Sequence, residues 1–347
     1  MAGHARERPL RLTRDQILAY RRRVNELDER LPAGPASLRR AAWAGLQDSM
    51  PRAALLSIHA RVDGTPPDIL DDPSLVQVWG PRFSVFVVAV EDAAVFTVGR
   101  LPTDPRRRRE FEDLADRLEA VLAGRKLPFG EPGRALGMHP NGLRYATTTG
   151  RVRLRWDGAR QPTIWTVPAP DVDPDEARRE LVRRYLHVFG PGTGAAFGEW
   201  AGIRPARAVT TFDSLTGEMT PVRTPIGDAW ILSSEEPAFR EPDRPPAPAR
   251  LLPSGDAFYL LQGTDRELLV PDAARRSELW TSRVWPGAVL VAGEIAGIWR
   301  RAGSKLTVEP WRRFSAEERD AVEGEAASLP LPAVDAAITV RWEGAAL

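Results

Sequence analysis

Apolar residues recur along the chain with two periods, and the switches between them outline the fold. From residue 13 to 31, Ile17, Leu18, Val24 and Leu27 keep a helical spacing. Thr13 stands three residues ahead of Gln16, the spacing of a capping box at a helix start. Leu38, Ala41, Ala42 and Leu46 predict a second helix from Ser37 to about Leu46. Leu55, Leu56 and Ile58 predict a third, led by Pro51, a residue suited to a first helical turn. The stretch "SVFVVAV" (84–90) is β-branched and aromatic and predicts a strand. Three helices followed by a strand suggest a winged-helix unit.

A helix over 106–123 opens the next part, and 142–165 reads as strands around turns at Gly150 and Asp157-Gly158. Residues 173–189 carry the clearest helical pattern. Asp173 caps it, Pro174 occupies its first turn, Leu181, Tyr185 and Leu186 form its buried face, and Gly190-Pro191 ends it. A short helix ending near Trp200, a turn at Ala201-Gly202 and a new helix from about Pro205 have helix-turn-helix spacing. Residues 219–232 add two strands across Gly227-Asp228, where a wing would lie. The proline-rich run 241–249 predicts a linker. Residues 250–312 read as β-rich with hairpins at Gly293 and Gly303, Ser315 and Glu318 cap a last helix, and "AAITVRWEG" adds a strand. The expectation is an α+β fold with about three tandem winged-helix units (1–102, 103–170 and 171–240) and a β-rich C-terminal domain (250–347).

Composition narrows the function classes. The 347 residues are 43% hydrophobic and 27% charged, ordinary for a soluble globular protein. No apolar run approaches the ~18 residues that span a bilayer, and "MAGHARERPLRL" has no apolar signal region. A cytoplasmic protein without membrane association is expected. Cysteine is absent, which removes disulfides, thiolate metal sites and cysteine nucleophiles. Four histidines without an H-E-x-x-H pattern predict no zinc site. The net charge is +1, but residues 1–200 hold 31 Arg plus Lys against 26 Asp plus Glu, and the remainder 17 against 21. Nearly all of the cations are arginine, the better fork for phosphate, so the N-terminal part leans toward a polyanion partner.

The candidate chemistry lies in a few stretches. "GPGTGAAFG" (190–198) follows a helix and lacks the Lys-Ser/Thr of a phosphate loop, so it is a helix stop and restart. "RVRLRW" (151–156) puts Arg151, Arg153 and Arg155 on one face of a strand. That face reads either as a ribbon on a phosphate backbone or as an edge strand guarded by charge. Arg204 and Arg207 sit at the start of the would-be recognition helix, the end that approaches a DNA groove. The helix face of Arg178, Arg179, Arg183 and Arg184 reads either as a DNA contact or as a solvated face partly paired with Glu176 and Glu180, and the run 106–109 is followed by acids that suit local pairing.

Four stretches occur in a telling order: "GLQDSMPRAALLSIHARV" (45–62), "DEARRELVRRYLHVFGPGTGAAFGEWAGI" (175–203), "RLLPSGDAFYLL" (250–261) and "GAVLVAGEIAGIWRR" (287–301). Together they resemble the AlkZ/YcaQ-like winged-helix DNA glycosylases over nearly the whole chain. The resemblance implies a C-shaped molecule of three winged-helix units and a C-terminal β-barrel, monomeric, holding double-stranded DNA in its concave face. It also implies excision of bulky N7-alkylated purines, or unhooking of interstrand crosslinks, without metal or cofactor. In the family a Gln-x-Gln or Gln-x-Asp pair before a proline-led helix positions the water. The matching positions are Gln47 and Ser49, with Asp48 between them. Ser49 is a shorter arm than the family's, and Asp48 either substitutes for it or caps the following helix. A second departure lies at 79–88. Where relatives carry Arg-Gly-Thr-x-His, this chain has Arg82, Phe83, Ser84, Val85 and Phe86, so the imidazole position is a phenyl ring. Arg82 is retained as a candidate DNA or site residue. A non-catalytic DNA-binding protein on the same scaffold, and a protein that sequesters a DNA-reactive small molecule, are the alternatives.

Overall fold

The computed structural model of the protein describes residues 9–50, 52–158, 160–242, 244–332 and 337–344. Its helices and strands form a mixed α+β fold built on three sheets. The largest is fully antiparallel and has six strands, in the order Leu46–Gln47, Val85–Ala89, Leu75–Trp79, Val152–Arg155, Thr163–Thr166 and Leu127–Pro128. Gln77 faces Leu154 across this sheet, so strands from either side of residue 102 are joined in one layer. The second sheet pairs Leu10–Arg11 in parallel with Met219–Thr224, which runs antiparallel to Gly227–Leu232. The N-terminal strand is thereby tied to the hairpin that follows the helix-turn-helix segment.

The third sheet has strands Ala249–Leu252, Gly287–Val291, Glu294–Ala302, Lys305–Pro310 and Thr339–Trp342, the last pair parallel. The barrel expected here is not closed: among the described residues the first and last strands do not pair. Helix Ala316–Ala327 contacts both of those edge strands. Its Val322 and Ala326 pack with Leu251, Val289, Val291, Leu306 and Val308. The apolar face of a sheet must be buried against something, and here a helix supplies the cover that closure would have supplied.

Most helix limits follow from local chemistry. The boxes at Thr13/Gln16 and Ser315/Glu318 are formed, with both reciprocal hydrogen bonds, at the heads of Arg14–Val24 and Ala316–Ala327. Asp173 accepts from the amides of Asp175 and Glu176 at the head of Pro174–Phe189. Gly202 turns left-handed (φ +67°) between Gly194–Ala201 and Pro205–Asp213, as a helix-turn-helix segment requires. The hairpin after it turns at Pro225-Ile226, two residues ahead of the expected Gly227-Asp228.

Three expectations fail. The first helix stops at Val24 and does not reach residue 31, because Glu26 goes left-handed (φ 54°). The second is confined to Pro35–Ala41, and Leu46–Gln47 is a strand. Gly45 adopts φ +73°, which ends the helical path and sends Leu46 into the sheet opposite Val87. Residues 140–149 form a 3-10 helix where a strand was expected. The hydroxyls of Thr148 and Thr149 donate to the carbonyls of Tyr145 and Ala146 (2.9 and 2.8 Å), the local bonding that competes with a strand ladder. The third helix is Ala53–His59; Pro51, expected to lead it, lies outside the described residues.

The main core is shared by distant segments. Tyr185, Leu186 and Phe189 pack with Phe197 and Trp200 of the helix-turn-helix and with Phe258 and Tyr259 of the C-terminal part. Beside this core lies an ion pair removed from solvent. Arg61, 1% exposed, makes two 2.8 Å hydrogen bonds to the carboxylate of Asp256, also 1% exposed. The Ser57 hydroxyl and the Phe258 amide donate to the same carboxylate, and Arg61 also reaches the Ser57 carbonyl and Asn25 Oδ1. Removing one member of a buried, hydrogen-bonded ion pair strands the other charge. Arg61→Ala is therefore expected to lower the free energy of unfolding by about 3–5 kcal/mol in urea denaturation. A loss under about 1 kcal/mol would contradict this account of the core.

Candidate functional site at Gln47

Gln47 ends a two-residue edge strand whose backbone pairs with Phe86. Directly opposed residues of an antiparallel pair project from the same face, so the Gln47 amide and the Phe86 ring share a side. Phe86 is fully buried. A Cβ at Gly45 would stand 3.0 Å from its ring and one at Gly80 3.1 Å, so both glycines make room for it. The half-buried Gln47 amide lies over this filled space. Its Oε1 accepts a 2.8 Å hydrogen bond from Arg82 Nη2, while Arg82 Nη1 donates to the Trp200 carbonyl at 2.6 Å. On the other side Gly255 approaches so closely that a Cβ there would be 3.3 Å from Gln47 Nε2. Three remote segments thus converge on one amide.

The turn that delivers Arg82 is strained. Arg82 and Phe83 both adopt left-handed backbone (φ 54° and 56°), which costs L-residues roughly 1–2 kcal/mol each. Phe83 stands where the resemblance puts glycine. Gly202 abuts the turn, and a Cβ there would fall 2.9 Å from the Arg82 backbone. Burial pushes the Arg82 guanidinium down to about 10, so it remains charged at neutral pH.

Asp48 turns the other way. It is 2% exposed, and Oδ1 accepts the Ala54 amide (3.1 Å) at the head of Ala53–His59. Oδ2 accepts Gln77 Nε2 at 2.7 Å. Gln77, itself buried, also exchanges hydrogen bonds with the backbone of Trp156 (2.6 and 3.1 Å). Asp48 therefore caps the helix from six residues upstream, sharing no hydrogen-bond partner with Gln47. Burial raises its pKa to about 6 despite the two donors and the nearby Arg155 and Arg52. Ser49 is half-buried at a bend, and its hydroxyl makes no hydrogen bond among the described residues. Gln77 was missed in the sequence; its one signal is a lone amide inside the apolar run "LVQVW".

With this geometry in hand, comparison with known proteins decides the family. Residues 39–330 match the family model described as DNA glycosylase AlkZ-like. The chain belongs to that AlkZ-like family. It is 25% identical over 252 residues to an interstrand DNA cross-link repair glycosylase of Streptomyces sahachiroi, a match covering 64% of this chain and 66% of the relative. The chain thus spans just under two thirds of that relative's length. The solved structure of Streptomyces sahachiroi DNA glycosylase AlkZ matches with a TM-score of 0.78 at 19% identity, covering 96% of this chain and 100% of the other, which establishes a common fold.

In this AlkZ-like chain the expected DNA-facing arginines are placed unequally. Val152–Arg155 is an interior strand of the six-stranded sheet, which removes the edge-strand reading. The alternation holds, with Val152 and Leu154 buried, but each arginine has protein partners. Arg151 pairs with Asp116 and Glu119, Arg155 with Asp71 and the Leu70 carbonyl, and Arg153 with the carbonyls of Gly150 and Val152. The acids expected along the helices are engaged as well: Arg179 and Arg183 pair with Glu176, Arg184 with Glu180, and Arg106 and Arg108 with Glu110 and Glu112. Arg204 is exposed, and Arg207 is half-buried beside Thr103. Among the described residues no three His, Asp or Glu side chains are grouped to hold a metal, and no helix is long and apolar enough to cross a membrane.

The Asp48 carboxyl gives a measurable signature. Its ordinary pKa is near 4, and the folded chain holds the proton up to about 6. Between those values the folded state binds more protons than the unfolded one, so stability falls as pH rises through the window, by about 3 kcal/mol at most. Above pH 6 this group contributes no further slope. The difference in unfolding free energy, wild type minus Asp48→Asn, is expected to decrease from pH 4 to 6 and then level off. A pH-independent difference would show that the carboxyl is not buried as described.

Proposed function

We propose that the protein is a monofunctional DNA glycosylase that hydrolyses the N-glycosidic bond of bulky N7-alkylated purines or of crosslinked purines in double-stranded DNA, acting without metal or cofactor. The observation that carries this reading is the Gln47 amide held between Arg82 and Gly255 in an AlkZ-like chain. N7-alkylation leaves the purine cationic, so the bond from sugar C1′ to the base breaks with its electron pair passing to the base, which becomes neutral. Water then adds at C1′ and releases a proton to solvent. A leaving group this good asks the protein for orientation more than for a strong base.

Gln47 Oε1 has two lone pairs, and Arg82 takes one. The other accepts a hydrogen from the attacking water and sets its direction. Arg82 is a positioning residue: it fixes which end of the amide is presented. Ser49 is the second arm on the water, and Asp48 acts at a distance by holding the strand-to-helix turn on which both stand. Arg204 and Arg207 contact phosphate, whereas Arg151, Arg153 and Arg155 serve DNA through the shape of the sheet they brace. The finer architecture belongs to the same proposal: three winged-helix-type units over 1–102, 103–170 and 171–240 and a β-rich domain over 250–347, a C-shaped cytoplasmic monomer curved around the duplex.

One observation favours the non-catalytic alternative. The Asp48 carboxylate is occupied by structural donors, which leaves Gln47 with only the short Ser49 arm. The two readings separate on one substrate. With duplex carrying an N7-alkylguanine, alkali after incubation should reveal strand cleavage, and Gln47→Ala should lower that rate at least 100-fold while duplex affinity changes less than about three-fold. Duplex binding with steep salt dependence but no cleavage from any such lesion would leave a DNA-binding protein only.

A further inference from the structure

On the far side of the strained 82–83 turn from Gln47 lies a second concavity. Phe83 points into it while Arg82 points to Gln47, so consecutive left-handed residues serve the two places. The cavity measures about 190 Å³, below the ~300–1,000 Å³ typical of whole ligand sites. It therefore suits one planar ring system and its substituents.

Its walls are aromatic and cationic. Tyr145 stacks on Phe111 with centroids 5.0 Å apart and meets Phe83 edge-on at 5.1 Å. The Arg100 guanidinium lies 4.3 Å over the Phe83 ring. Tyr145 is 42% exposed and its hydroxyl makes no hydrogen bond among the described residues, unusual for a residue walled by two rings. Five arginines line the space, namely Arg100, Arg107, Arg178, Arg204 and Arg207, against one carboxylate, Asp104, which is engaged in capping the Arg107 amide. Among the described residues Arg178 alone of these has a carboxylate partner, Asp175. Arg178 is 3% exposed, yet among the described residues its Nε has no hydrogen-bond partner, and neither has the buried Nη2 of Arg207. Buried donors left unsatisfied are costly. Burial and the neighbouring Arg178 push Arg207 down to about 10, against the opposing pull of Asp175.

We propose that this cavity is a nucleotide subsite that receives a single unpaired nucleotide of the bound DNA. The base packs among Tyr145, Phe83 and Phe111, as bases do on aromatic side chains. The adjoining phosphate takes the free donors of Arg204 and Arg207, and its charge offsets the arginine cluster. The subsite rests on the DNA-binding reading and deepens it: the protein grips a nucleotide displaced from the stack next to, and not at, Gln47. That arrangement selects duplexes already distorted by a bulky adduct or crosslink, because an unstacked nucleotide comes at lower energetic cost there.

The test compares a fully paired 15-base-pair duplex with the same duplex carrying one bulged deoxyadenosine, both without alkylation, titrated into the full-length protein by fluorescence anisotropy. The bulged duplex is expected to bind at least 10-fold more tightly. Tyr145→Ala should bring that ratio to within two-fold of unity, and Tyr145→Phe should restore it. Arg204→Ala should lower the ratio too, with a smaller salt dependence for the bulged duplex. Equal affinity for the two duplexes in the wild type, or a ratio unaffected by Tyr145→Ala, overturns the subsite while leaving the DNA-binding reading intact. Binding of neither duplex removes both.

Discussion

The arrangement around Gln47 depends on the buried pair of Arg61 and Asp256. Arg61 follows the helix Ala53–His59, whose head is capped by Asp48, and Asp256 follows Gly255, which lies against the Gln47 amide. One bidentate contact thus fixes the separation between the strand that carries the glutamine and the distant segment that walls it. Apolar packing alone would hold these segments together with less orientational definition, since dispersion contacts are non-directional. A bidentate guanidinium–carboxylate fork adds geometric specificity, and here Ser57, Asn25 and Phe258 add further hydrogen bonds to it. The pair sets position at one end of the site as the 82–83 turn sets it at the other.

That turn concentrates local strain and shares it between two roles. Arg82 and Phe83 in succession hold left-handed backbone without glycine. Such conformations persist where surroundings over-determine them and are characteristic of functional sites. The surroundings here are explicit: Gly202 yields space to the Arg82 backbone, Trp200 accepts its guanidinium, and Arg100 lies over Phe83 while donating to the carbonyl of Trp79. Because both side chains leave one rigid turn, displacement of either is felt by the other.

How much of this was legible in the sequence varies with the range of the interaction. Caps were legible, because Thr13, Asp173 and Ser315 act within three residues of themselves. The helix-turn-helix was legible for the same reason, through Gly202. The segment "GLQDS" was not, because apolar spacing continued the helix through Leu46 while a left-handed Gly45 turned the chain into a strand. For Asp48, the capping alternative weighed in the sequence is the contact observed, but its second partner, Gln77, arrives from another strand and no local pattern announces it. The alternation of Arg151, Arg153 and Arg155 was read correctly as a face. The acids that pair with Arg151, Asp116 and Glu119, sit on a helix over thirty residues away in the chain, and Asp71, which pairs with Arg155, is farther still. The closed barrel, carried by resemblance alone, gave way to an open sheet covered by a helix.

The phenyl ring at position 86 couples positions that lie far apart in the chain. A Cβ at Gly45 would stand 3.0 Å from the ring and one at Gly80 3.1 Å, so a side chain at either requires the ring to shift. An imidazole at 86 would bring polar nitrogens into a packed apolar space, and a side chain added at either glycine would press on the ring. Substitutions coupled in this way are non-additive. The three positions therefore behave as one packing unit beneath Gln47, and a change at any of them alters the cost of a change at the others.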